Sequence, residues 1–112
     1  MEDSQIIHHI YKAVRQALIE KLGQQGYVVV EEKENDPLYN SRFVIWSDNR
    51  DLIRFTWDGK ENMFLVEVSE DLPIRPLTAW SSLSITPFEP YLHPDPGQYI
   101  FTTAEKIVNS LD

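Results

Sequence analysis

Between residues 4 and 23 the apolar positions Ile6, Ile7, Ile10, Val14, Ala17, Leu18 and Leu22 recur every three or four residues. Lys12, Arg15, Gln16, Glu20 and Lys21 fall mostly elsewhere on the helical wheel. This spacing predicts an amphipathic helix with one buried face. Asp3 or Ser4 is suited to cap its start, and Gly23 and Gly26 suit its end. The pattern then changes to short β-branched and aromatic runs: Tyr27 to Glu32, Ser41 to Trp46, Leu52 to Trp57 and Met63 to Val68. Each run reads as a strand. They are separated by Glu34-Asn35-Asp36-Pro37, by Ser47-Asp48-Asn49-Arg50 and by a turn beginning Asp58-Gly59. Phe43 to Trp46 is continuously apolar, so both faces of the second strand are expected to be covered in part.

The third and fourth strands fix their own register. Ile53, Phe55 and Trp57 alternate along one, and Phe64, Val66 and Val68 along the other. A connecting loop of even length sets the two triplets on one face, whereas an odd length opposes one triplet to the polar row. Asp-Gly, tolerant of positive φ, predicts the even-length hairpin. The opposite face then carries Leu52, Arg54, Thr56, Met63, Leu65 and Glu67.

Six of the seven prolines lie between residues 73 and 96. Proline fixes φ and removes a donor, so an irregular segment is expected over 71–98, with one or two helical turns from Leu77 to Leu83 and a short extended piece at Ser84 to Thr86. Its Leu72, Ile74, Leu77, Trp80, Leu83, Ile85, Phe88, Tyr91 and Leu92 are more apolar than a disordered linker allows. Thr102-Thr103-Ala104-Glu105 resembles a capping box opening a second helix, with Ala104, Ile107, Val108 and Leu111 as its apolar stripe. The expected fold is α+β, a single domain over 1–112. An N-terminal helix, a four-stranded antiparallel meander, the proline-rich segment and a C-terminal helix follow in order, with both helices on one sheet face.

Charge sharpens this picture. The net charge is −8, and residues 31–71 hold eleven acids against five bases, so six of the eight excess negative charges fall in the sheet region. Such a surface attracts basic partners and repels nucleic acid. The chain has no cysteine, which excludes disulfides, thiolate zinc sites and cysteine nucleophiles. The acidic start is unlike a secretory signal and no apolar run is long enough to span a membrane, so a cytoplasmic protein without membrane contact is expected.

Catalytic and metal-binding patterns are weak. Asp58 with Glu67-Val68-Ser69 has two carboxylates of a metal-nuclease arrangement, but Ser69 stands where the lysine would be needed. His8 and His9 are adjacent on a helix, about 100° apart, and cannot chelate one ion together. His93 lies in a loop. Ser81, Ser82 and Ser84 form no nucleophile elbow, and there is no glycine-rich phosphate loop. No enzyme activity, cofactor or metal is therefore expected.

The chain resembles bacterial immunity proteins in size, charge and layout. The resemblance implies a protein-binding module that masks a basic partner such as a toxin domain. The expected contact residues are Glu31, Glu32, Glu34, Asp36, Glu67, Glu70 and Asp71 for charge, with Tyr39 or Trp80 as aromatic anchor. One alternative is a secretion-chaperone-like binder. Another is a small-ligand or enzyme domain with a pocket under residues 71–98, lined by Arg54, Glu67, Trp80 and His93. A homodimer, formed through the apolar second strand, is also open.

Overall fold

The computed structural model describes residues 1–34, 36–70 and 79–112. Among these the order is helix α1 (Asp3–Gly23), strands β1 (Val28–Lys33), β2 (Arg42–Ser47), β3 (Asp51–Asp58), β4 (Met63–Glu70) and β5 (Ser81–Pro87), a 3-10 turn (Pro90–Leu92) and helix α2 (Pro96–Asn109). The strands form one antiparallel sheet in the order β1-β2-β3-β4-β5. The fold is α+β, with both helices on one face of the sheet.

The expected hairpin parity is present. A four-residue loop, 59–62, pairs Ile53 with Val68, Phe55 with Val66 and Trp57 with Phe64. Positive φ falls on Asn62 rather than on the Asp-Gly pair. Asp58 shapes the turn instead, accepting from the amides of Lys60 and Glu61 at 3.0 and 3.1 Å.

Four expectations are corrected. The sheet has five strands, because Ser81–Pro87 pairs along the outer edge of β4. Most of its side chains are exposed: the alternating Leu83 and Ile85 face outward, and only Thr86 is buried. The 71–98 segment is thus not irregular throughout, and of the stretch expected to be helical, Leu77 to Leu83, residues 81–83 are strand; residues 71–78 lie outside the described residues. Helix α2 begins at Pro96, not at Thr102. Asp95 caps it through the Gly97 amide at 3.0 Å, and proline is tolerated in a first helical turn, which lacks intrahelical amide bonds. Helix α1 is capped by Glu2, whose side chain and that of Gln5 satisfy each other's backbone amides.

The core lies between the helices and the inner sheet face. Ile6, Ile10, Tyr11, Val14, Leu18 and Leu22 of α1, with Tyr99 and Ile107 of α2, meet Val44, Trp46, Ile53, Phe55, Trp57, Phe64 and Val66. A run of aromatic contacts crosses it. Tyr11 stacks on Phe55 at 5.0 Å, Phe55 on Phe64 at 6.1 Å, and Phe64 meets Trp57 at 4.7 Å. Trp57 then meets Phe88 at 5.8 Å, and Phe88 meets Tyr99 at 5.9 Å. These rings join α1, two central strands, the end of β5 and α2. Edge and offset ring contacts add to the area that each ring buries. Among the described residues no helix is long and apolar enough to cross a membrane.

Phe55 is fully buried at the middle of this run. Phe55→Ala is expected to cost about 3–5 kcal/mol in urea unfolding, because the surrounding rings cannot collapse fully into the space.

Candidate functional site

β1 is an edge strand, and its pairing with β2 contains a bulge. Val29 pairs with Trp46 and Glu31 with Ile45, leaving Val30 as the extra residue. The bulge turns Glu31 to the outer face and Glu32 to the helix face. There Glu32 forms a two-pronged ion pair with Arg15 of α1. Arg42, the first residue of β2, also points to the helix face and is only 7% exposed. Its guanidinium donates to Nδ1 of His8 at 3.3 Å and lies over the Tyr11 ring at 5.3 Å. The Tyr11 hydroxyl is buried and has no hydrogen-bond partner among the described residues. Burial pushes its titration far above the ordinary phenol value, and the charges of Glu32 and Glu34 add to the shift.

Past β1 the chain forms a loop closed by its own bonds. The Asp36 amide donates to the Ser41 carbonyl at 3.1 Å, and the Asn40 amide to the Asp36 carbonyl at 2.8 Å. The Asp36 carboxylate accepts from the Leu38 amide at 3.3 Å, and Asn40 takes positive φ. The loop rests on the β3–β4 turn. The Gly59 amide donates to Ser41 Oγ at 2.9 Å, and a Cβ on Gly59 would stand 1.8 Å from the Tyr39 carbonyl oxygen. Only glycine permits that approach. Leu38 and Tyr39 sit on this frame 80% and 47% exposed.

The nine expected contact residues therefore separate. Glu34, Asp36 and Tyr39 follow the end of β1, with Glu34 acting on Tyr11 and Arg15 of α1, while Glu31 lies within the strand on the outer face; the three carboxylates form no ion pair among the described residues. Glu32 is spent on Arg15. Glu67 is spent on Arg54, its direct cross-strand neighbour, which donates to it twice, at 3.0 and 2.7 Å. Trp80 stacks on the other side of the same guanidinium at 4.2 Å and is partly buried there, so it is not a projecting anchor. Glu70 pairs with Asp51 at the far end of the sheet, seven residues and about 24 Å of strand from the turn. Asp71 lies outside the described residues. Leu38 was absent from the expected set, although an apolar residue between Pro37 and Tyr39 in a polar turn was the available signal.

The pocket expected under residues 71–98 is only partly assembled. Arg54, Glu67 and Trp80 come together, but the arginine's charge is met by the glutamate and its face by the indole. His93 is on the helix side, 6.0 Å from the Tyr99 ring. Asp58 and Glu67 stand on the same hairpin, but Asp58 pairs with Met63, four positions from Glu67 and about 13 Å away along the strand. The second strand is internal, with Val44, Ile45 and Trp46 buried, and offers no surface for a dimer.

No protein-family model matches the chain, and neither a curated protein nor a solved structure shows significant similarity to it.

Two substitutions check this geometry. Gly59→Ala drives a methyl group against the Tyr39 carbonyl; it is expected to cost about 1–3 kcal/mol in thermal unfolding and to shift the amide resonances of residues 38–41. Tyr11→Phe removes an unpartnered hydroxyl and should change stability at neutral pH by less than about 1 kcal/mol. The raised phenol pKa has a second consequence. Above about 10 the unfolded tyrosine loses its proton while the folded one keeps it, so stability falls as pH rises through that range. Tyr11→Phe should flatten that alkaline loss in denaturant titrations at stepped pH.

Proposed function

We propose that the chain is a protein-binding module that masks a basic partner, in the manner of an immunity or inhibitor protein. The contact is the loop end of the sheet. What supports this reading is the exposed Leu38–Tyr39 pair on a loop closed by backbone bonds, with Glu31, Glu34 and Asp36 close in sequence and in no ion pair among the described residues. Leu38 and Tyr39 supply an apolar anchor whose main-chain conformation is set before contact, so little ordering is needed on binding. The carboxylates supply a negative rim that speeds encounter with a cationic surface and disfavours acidic ones. Glu32 and Glu67, being paired within the chain, are assigned to the fold and not to the contact. The partner that fits is a basic protein domain with an apolar pocket ringed by lysine or arginine. A toxin domain is the proposed example.

The test begins with affinity purification on the wild-type chain, followed by titration of the recovered basic protein against variants. Tyr39→Ala is expected to weaken binding by about 2 kcal/mol or more. Reversal of Glu31, Glu34 and Asp36 to lysine is expected to slow association and remove most of its salt dependence. Glu70→Lys, at the opposite end of the sheet, should leave the affinity unchanged. Unaltered affinity of both the triple reversal and Tyr39→Ala in low salt would refute the assignment.

A further inference from the structure

The fold leaves the guanidinium of Arg42 incompletely satisfied. The residue is 7% exposed, and an arginine keeps its charge even when buried. Nη1 donates to His8 Nδ1 at 3.3 Å, and the group lies over the Tyr11 ring. Nε is buried without a partner, and Nη2 makes no hydrogen bond among the described residues. The hydroxyl of the same Tyr11 ring is a second buried donor without a partner among them. No carboxylate of the described residues stands within ion-pair distance of Arg42. A buried charge without a counter-charge is costly, and that cost is relieved when a counter-charge arrives.

Elsewhere in the molecule the same edge of an arginine holds a carboxylate. Arg15 gives Nε and Nη2 to the two oxygens of Glu32, and Arg54 gives Nε and Nη2 to Glu67. In Arg42 this pair of donors is unpartnered. We propose that Arg42 binds a carboxylate from outside the chain, held side-on by Nε and Nη2. The fork of two parallel donors matches the two oxygens of a carboxylate. His8 touches the guanidinium through a long bond and is itself exposed, so the ligand reaches Arg42 along that side chain.

The acids of the chain that act on this cluster do not serve Arg42. Glu32 is closed on Arg15. Glu34 follows the last β1–β2 pair, Lys33 with Phe43, and its charge acts on Tyr11, but it is exposed and in no ion pair among the described residues. An exposed charge is screened by water and salt far more than a buried one. With Arg15 and Glu32 cancelling each other, the buried guanidinium is the charge that an entering group meets. A carboxylate, with one negative charge, is opposed by these two glutamates less than a phosphate dianion would be.

The test is a titration of the full chain with sodium acetate at neutral pH, against sodium chloride at equal ionic strength. It is followed on the Nε–H resonance of Arg42, identified by its contacts with the Tyr11 ring protons. A saturable downfield shift with a dissociation constant of about 1–50 mM is expected with acetate, and none with chloride. Arg42→Lys keeps the charge and loses the paired donors; read on the His8 and Tyr11 amides, it should weaken acetate binding by about tenfold or more. If that variant does not fold, the wild-type titration decides alone. An acetylated tripeptide of alanine, as its free acid and as its amide, separates the sources of the carboxylate. Binding of the acid at least about tenfold tighter than acetate supports a chain end as ligand, and equal binding supports a small acid; the amide should not bind in either case. An Nε–H that ignores acetate overturns the proposal. So does a matching response to chloride, binding of the amide, or an Arg42→Lys chain that holds acetate as well as the wild type. An Nε–H that ignores acetate but moves on Glu34→Gln assigns the guanidinium to Glu34 and overturns the proposal equally.

Discussion

The molecule is organised around the paired triplets of its central hairpin. Ile53, Phe55 and Trp57 of β3 lie directly opposite Val68, Val66 and Phe64 of β4, and side chains alternate strictly along a strand. Once these six share a face, that face is the one the helices must cover. Tyr11 of α1 settles on Phe55, and Phe88 and Tyr99 continue from Trp57 toward α2. The polar row of the same strands is turned outward by the same parity. Arg54 and Glu67 neutralise each other there because register makes them direct neighbours. The inner packing and the outer charge pair are two results of one alignment.

Much of this was legible in the sequence because alternation and helical period are local. The first helix, the four central runs and the hairpin parity depend only on residues close to each other. Strand β5 was harder to read. An edge strand that buries only Thr86 of its seven residues and turns Leu83 and Ile85 outward gives a short, weak signal, and its proline reads as a breaker. The start of α2 was missed for a related reason. Asp95-Pro96-Gly97 has the composition of a turn, yet the same aspartate and proline are favourable at the mouth of a helix. Composition alone does not separate the two.

The candidate contact surface was legible only in part, because ion pairing is long-range. Seven acids count alike in a linear sequence. In space the bulge at Val30 decides the fates of two of them. One additional residue sends Glu31 outward and turns Glu32 toward Arg15, seventeen residues earlier. Without the bulge those faces would be exchanged. Glu67 is fixed by a pairing thirteen residues away, and Trp80 by its stack on the same arginine. What survives these claims is a small, localised set at one end of the sheet.

The meeting of Gly59 with the Tyr39 carbonyl divides that end into a frame and its decoration. The main chain of the loop is clamped against the neighbouring turn, while the two side chains it displays touch little of their own molecule. Residues 38 and 39 are accordingly open to exchange without rebuilding the scaffold beneath them, and position 59 is not. A lineage that had to follow a changing adversary would find its freedom at the former pair and its constraint at the latter.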